Sequence, residues 1–222
     1  MQLHVFSYEQ TSDFSRIFDG FLSLRKRKLV DELGWTLACR GEVERDQYDR
    51  PGTLYSIATY NGEVVAGARA QSCGNKSGRW TYMLKDAADG KLVGIPGGLL
   101  VSYPSDNTVW ECTRFVNDER LFKDLPDWIG TKLVVAGLCQ ATRRLGAERL
   151  ISLSPRALGV LLRRFGYQVQ RQGRRYLCED DQREYWAFVM GCAPVVNEAL
   201  FFRHATPPTL EHAHARLLSG VA

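Results

Sequence analysis

The 222-residue sequence has six cysteines but no CxxC pair. Cys39, Cys73, Cys112, Cys139, Cys178 and Cys192 are scattered, which argues against both a zinc site and a disulfide framework. They read as small hydrophobes in a reducing compartment. No apolar run approaches the roughly 20 residues that a membrane helix needs. The segment Met1-Gln2-Leu3-His4-Val5-Phe6 lacks the basic start and long apolar stretch of a signal peptide. A cytoplasmic protein with no membrane partner is expected. Histidine is scarce, and His4, His204, His212 and His214 lie near the ends. His212-Ala-His214 would suit a metal only on a strand, so it reads as part of a weakly specified tail, and no metal site is expected. GxSxG, P-loop, HExxH and GxGxxG signatures are all missing.

What is present is the composition of one folded domain over 1–222: 45% hydrophobic and 24% charged residues, enough to bury a full core. The net charge of +4 is too mild to argue for nucleic acid. Basic residues nonetheless cluster in Arg25 to Lys28, at Arg143-Arg144, at Arg163-Arg164 and between Arg171 and Arg175. Such clusters suit an acidic partner or a phosphate-bearing carrier, or form solvated helix faces.

Apolar periodicity predicts a strand over Leu3 to Tyr8 and a helix from Phe14 to Leu33, stopped by Gly34. Residues 36–52 are polar and poorly periodic, a loop of the kind that carries function. Two β-rich runs, Thr53 to Tyr60 and Glu63 to Gln71, flank Asn61-Gly62, a strong hairpin signal. An irregular glycine- and proline-broken segment follows, with a short helix over Tyr82 to Ala88. Then come a strand at Val109 to Val116, a helix at Trp128 to Leu145 and a strand at Arg149 to Leu153. A helix opening at Pro155, strands at Tyr167 to Leu177 and Tyr185 to Met190, and a helical stretch from Pro194 complete the order. An initial hairpin followed by alternating strands and helices predicts an α/β protein with one mixed sheet and helices on both faces.

Charged residues stand in unusual places. Glu111 and Arg114 interrupt the apolar strand Val-Trp-Glu-Cys-Thr-Arg-Phe-Val, and Arg69 lies in the second hairpin strand. Strict alternation puts Trp110, Cys112 and Arg114 on one face and Glu111, Thr113 and Phe115 on the other. Charges in a central strand must be paired or must meet a ligand. Structural pairs of Arg69 with Glu111, or of Arg114 with Asp46, are one account; a functional site is the other.

Four motifs then occur in order: Arg25 ahead of Gly34-Trp35; Glu44-x-Asp46-x-Tyr48-Asp49; Gly67-x-Arg69; and Glu111-x-Thr113-Arg114-Phe115. Together they span about residues 3 to 120 and resemble the acyl-homoserine-lactone synthase (autoinducer synthase) family. The chain departs from the family pattern at Leu29, where an aromatic residue is usual. It departs again at Lys85-Asp86-Ala87 after Met83-Leu84, where a phenylalanine is common.

The resemblance implies a three-layer sandwich like that of the GCN5-related N-acetyltransferases. It implies an enzyme that acylates the amine of S-adenosylmethionine from an acyl thioester on acyl carrier protein or CoA. Lactonisation then releases methylthioadenosine and a quorum-sensing signal. Both reactants are substrates, so no cofactor is implied. By resemblance, Glu111 is the general base; Asp46 and Asp49 hold the cationic acceptor; and Arg25 and Trp35 close over it. Arg69 and Arg114 fix the acidic loop and the carboxylates of the site, while Thr113 and Phe115 belong to the substrate-binding set. The acyl chain is expected between the strand after Val109 and the strand at Arg149. Ser152 or Ser154 would bond a substituent on it, unless Ser154 simply caps the helix at Pro155.

Two other readings compete. A general N-acyltransferase using acyl-CoA would carry a glycine-rich pyrophosphate loop before the central helix, where Leu121 to Lys132 holds Gly130 alone. A basic nucleic-acid module would leave the charges inside an apolar strand unexplained.

Overall fold

The computed structural model describes residues 1–121, 124–196 and 198–204. The histidine pair at 212 and 214 and the tail after 207 lie outside the described residues. One seven-stranded sheet carries the molecule: β1 (Gln2–Ser7), β4 (Thr53–Tyr60), β5 (Glu63–Ser72), β6 (Val109–Asn117), β7 (Arg149–Pro155), β9 (Glu184–Gly191) and β8 (Val169–Leu177), in that spatial order. The predicted loop at 36–52 contains a two-stranded ribbon of β2 (Cys39–Arg40) and β3 (Val43–Glu44).

Alternation along β1 shows how the layers form. Leu3 and Val5 point to one face, where they meet α3 (Ile129–Arg144). Phe6 points to the other, beneath α1 (Ser15–Arg25). Helix α4 (Arg156–Arg164) shares the face of α3, and α2 (Met83–Ala88) packs on a third apolar cluster with Tyr48, Leu99 and Ile151. Asn61 and Gly62 take φ of 51° and 84°, as the hairpin's tight turn demands. Gly67 has a different task. A Cβ there would lie 2.6 Å from the Phe21 ring, so only glycine lets α1 settle this close to β5.

The helix after Phe14 is not uniform. It is α-helical to Arg25 and then widens into a π-helical turn over Lys26–Asp31 before Gly34 turns left-handed at φ 74°. The last helical stretch is short, α5 (Glu198–Phe201) followed by a 3₁₀ turn.

Two irregularities near the centre of the sheet create space. Gly67 pairs with Val116 and Arg69 with Thr113, so Arg114 and Phe115 together oppose Ala68 in a β-bulge. The one parallel pair of the sheet among the described residues, β6 with β7, is in register just for Val109–Arg149, Trp110–Leu150 and Glu111–Ile151. Beyond Glu111 the strands part, while β7 stays paired with β9 as far as Pro155. All six cysteines are free thiols. Among the described residues, no helix is long and apolar enough to cross a membrane, and no acid, histidine or cysteine cluster could hold a metal ion.

Candidate active site

The gap between β6 and β7 is a cavity of about 1150 Å³. Cys112 to Val116 form one side and Leu150 to Leu153 the other, with Val135 and Leu138 of α3 and Leu158 and Leu162 of α4 completing a mostly apolar wall. This is where the sequence reading placed the acyl chain. Ser154 lines it, and its hydroxyl donates to Ser152 Oγ at 3.2 Å. No side chain caps α4, whose N-cap is Pro155, so the capping role considered for Ser154 is set aside. Trp35 also faces the cavity. Its indole N–H donates to Asp181 at 2.9 Å, and the Tyr185 hydroxyl donates to the same oxygen at 2.6 Å.

Beside the cavity lies a charge cluster drawn from four places in the sequence. Arg25 forks onto Asp49 at 2.8 and 2.9 Å and donates through Nε to Glu44 at 2.6 Å. Arg69 forks onto Asp46 at 2.6 and 2.7 Å, meets Asp49 at 2.9 Å and donates through Nε to Thr113 Oγ1. Arg114 joins Asp46 at 2.7 Å and Glu44 at 3.2 Å. Three guanidinium groups thus face three carboxylates, and the cluster is neutral within itself. Burial opposes ionisation of Asp46, yet Arg69 and Arg114 hold it well below the usual carboxylate range. Burial also works against Asp49, but Arg69 and Arg25 bring it down to about 2. Arg69 is desolvated too, and Asp46 and Asp49 more than offset that and keep it charged.

Three expectations change here. Arg114 does not share a face with Trp110 and Cys112: the bulge, with Arg114 at φ 54°, turns it onto Glu44 and Asp46. Arg25 is fully buried within the cluster, so it anchors the acidic loop rather than closing over an acceptor. Of the two structural pairs considered, Arg114 with Asp46 is present, whereas Arg69 spends its donors on Asp46, Asp49 and Thr113.

Glu111 therefore stands apart from the arginines. It is completely buried and accepts the backbone N–H groups of Met83 at 2.7 Å and Leu84 at 2.8 Å, where α2 begins. Gln71 Nε2 lies 3.4 Å from Oε2. Burial outweighs these donors and pushes its carboxyl up to about 7. The next residue, Cys112, lines the cavity. A carboxyl poised near neutrality, one residue along the strand from the cavity wall, can take a proton from an amine.

Of the ten candidate residues, Trp35, Thr113, Arg114, Phe115 and Ser154 border the cavity. Arg25, Asp46, Asp49 and Arg69 belong to the cluster behind it. Sequence reasoning missed the roles of Glu44 and Gln71, and of Asp86, which accepts the Tyr48 hydroxyl at 3.0 Å and helps seat the acidic loop. It missed Asp181 as well. Glu44 and Gln71 were within reach, one inside the quoted motif and the other two residues beyond Arg69 on the same face. Asp86 and Asp181 gave no such signal, because only the tertiary fold brings them in.

The mixed sheet, split where β6 and β7 part beside the cavity, has the GCN5-related N-acetyltransferase-like fold of solved acyl-homoserine-lactone synthases. Residues 9–191 match the family model for autoinducer synthases. The chain belongs to that family, and it is similar to curated proteins named acyl-homoserine-lactone synthase. One relative, the acyl-homoserine-lactone synthase of Ralstonia nicotianae, is 30% identical over 154 residues, 67% of this chain and 70% of its own length. Among solved structures, TofI in a ternary complex with an inhibitor and MTA is 25% identical. It superposes with a TM-score of 0.68 over 86% of this chain and 92% of its own. BjaI, a CoA-dependent acyl-homoserine lactone synthase solved with SAM and isopentyl-CoA, is 18% identical, with a TM-score of 0.69 over 91% and 88% of the two chains; it bears on the fold alone.

Proposed function

We propose that this chain joins an acyl thioester to S-adenosylmethionine and releases an acyl-homoserine lactone. The observation that carries the reading is Glu111, a buried carboxyl held near neutrality one residue from the cavity wall, with no arginine hydrogen-bonded to it among the described residues. In the first step the acceptor's amine nitrogen bonds to the thioester carbonyl carbon, the carbon–sulfur bond breaks and the carrier leaves as a thiol, which carries off the second proton lost by the nitrogen. Glu111 takes the ammonium proton, directly or through water. In the second step the acceptor's carboxylate oxygen attacks the carbon next to the sulfonium. The lactone closes, and sulfur departs neutral in methylthioadenosine. The MTA bound to TofI is the by-product that this scheme requires.

The cavity suits the acyl chain, with Ser152 and Ser154 among its polar groups and Thr113 and Phe115 at its edge. Trp35, tethered to Asp181, covers the acceptor side. Asp46 and Asp49 act through the arginine forks: they keep Arg69 and Arg114 oriented and the acidic loop against β5 and β6.

Purified protein should release methylthioadenosine only when both S-adenosylmethionine and an acyl thioester are supplied. Acylation of an unrelated amine, with S-adenosylmethionine inert, would replace this reading with that of a general N-acyltransferase.

The donor is taken to be acyl carrier protein. Arg143 and Arg144 end α3, Arg163 and Arg164 end α4, and all four are exposed; Arg164 also reaches the cavity rim. Reversing their charge should raise the donor's KM, and added salt should weaken turnover by the unmodified protein, because exposed charge pairs are screened. Unchanged kinetics with the carrier protein, or a clear preference for acyl-CoA, would refute carrier docking at this surface.

A further inference from the structure

Gln71 on β5 is the direct cross-strand partner of Glu111 and is almost fully buried. Its amide has two ends that are alike in shape but opposite in hydrogen bonding. Arg50 Nη2 lies 3.3 Å from Oε1, and Glu111 Oε2 lies 3.4 Å from Nε2. A guanidinium only donates and an ionised carboxylate only accepts. Flipping the amide would set a donor against Arg50 and a carbonyl against the carboxylate, so only one orientation satisfies both neighbours.

Arg50 is itself unusual. It is buried, yet its hydrogen bonds run to the carbonyls of Trp80 and Thr81 and to Gln71, with no carboxylate among those partners. Its Nε has no partner, and burial lowers its affinity for the proton. Asp86 and Asp46 act on it through space, but neither accepts a hydrogen bond from it among those partners. What it does have is a fixed direction toward Gln71.

We propose that Gln71 is a positioning residue for the Glu111 carboxylate, with Arg50 locking its amide so that only the N–H side meets the acid. The pair lies outside the four sequence motifs and the arginine–carboxylate cluster. The inference rests on the reading of Glu111 as the base, since a third donor that favours the ionised form makes the carboxylate available near neutral pH. The other groups facing Glu111 are Arg69 from β5, Cys73 just after it, Cys112 on its own strand, Tyr48 from the acidic loop and Tyr82 ahead of α2. Only Arg69 among them is a cation, and its forks hold it on Asp46 and Asp49. Gln71 is therefore the one side chain whose hydrogen bond to Glu111 responds to Arg50.

The test reads Glu111 directly, by carbon-13 NMR of protein labelled at the glutamate side-chain carboxyl, with the signal assigned by its loss in Glu111→Gln. Gln71→Met should raise the Glu111 midpoint by about half to one pH unit. The acidic limb of kcat/KM should move with it, so that turnover at pH 6.5 falls by about 3- to 10-fold and recovers at pH 9. Arg50→Met should do the same, because the freed amide can turn its carbonyl to a protonated Glu111. The double variant should shift no further than either single one, as expected if Arg50 acts through Gln71. An unmoved Glu111 midpoint in folded Gln71→Met would overturn the proposal; should that variant not fold, an unmoved midpoint in Arg50→Met would do so. A midpoint that moves while the activity limb stays put would uphold the positioning and refute Glu111 as the base.

Discussion

Glu111→Gln should lower kcat by about 10²-fold or more, the usual scale for a lost general base, while binding of S-adenosylmethionine weakens much less. The expected stability change is modest, for a reason visible at the start of α2. The carboxylate accepts from Met83 and Leu84, one N–H to each oxygen. A glutamine keeps one acceptor and sets its NH₂ against the other backbone donor, a loss of about 1–3 kcal/mol for an orphaned buried group. Losing an arginine's partner would cost about 3–5 kcal/mol, but among the described residues no arginine donates a hydrogen bond to Glu111. pH adds a second check. Burial lifts the folded-state pKa from an ordinary 4.5 to about 7, so between those values the folded protein holds a proton that the unfolded chain releases. Stability should therefore fall as pH rises through that window, and activity should climb as the base ionises near pH 7. The glutamine variant should lose both slopes. A folded variant with full turnover at pH 8 would remove Glu111 from the chemistry.

Much of this arrangement is legible along the chain, and the exceptions share a physical cause. The Asn61-Gly62 hairpin, the helix ending near Gly34 and the strand holding Glu111 follow from local turn chemistry and apolar period, which neighbours along the chain determine. The four motifs likewise pick out every arginine of the charge cluster. The face of Arg114 is a different matter. Alternation assumes an unbroken ladder, and the bulge opposite Ala68 is a property of two strands that neither shows alone. Glu111 is similar: that it is charged and buried can be read from its strand, but its partners are backbone groups 27 and 28 residues away, which side-chain identity does not encode. The cavity too depends on β6 and β7 pairing for only three residues before they part. Local rules locate the charged groups; the divergence of the two strands decides which of them meet the cavity.

Arg69→Met should cost about 3–5 kcal/mol of stability, since it leaves a buried carboxylate without its forked partner. That loss corresponds to a fall in melting temperature of about 6–20 °C for a chain of this size. Arg69 holds both oxygens of Asp46, one of Asp49 and the Thr113 hydroxyl, so the acidic loop, β5 and β6 loosen together. The pH dependence should change sign. In the parent protein, Asp46 and Asp49 lie below their ordinary values, and their contribution, complete above about pH 4, is lost as pH falls toward 2. In the variant the cluster holds one more negative charge than positive, and burial, no longer outweighed by Arg69, raises a carboxyl above its ordinary value. The folded variant then takes up a proton that the unfolded chain does not, so it should gain stability as pH drops from neutral toward about 5. Adding Asp46→Asn removes the excess charge and should restore part of the loss, making the double variant more stable than the single changes would sum to. Urea unfolding of the four proteins at pH 7 and pH 5 measures each term. Strict additivity with the same pH slope in all four would mean that charge balance within the cluster is not what holds the acidic loop in place.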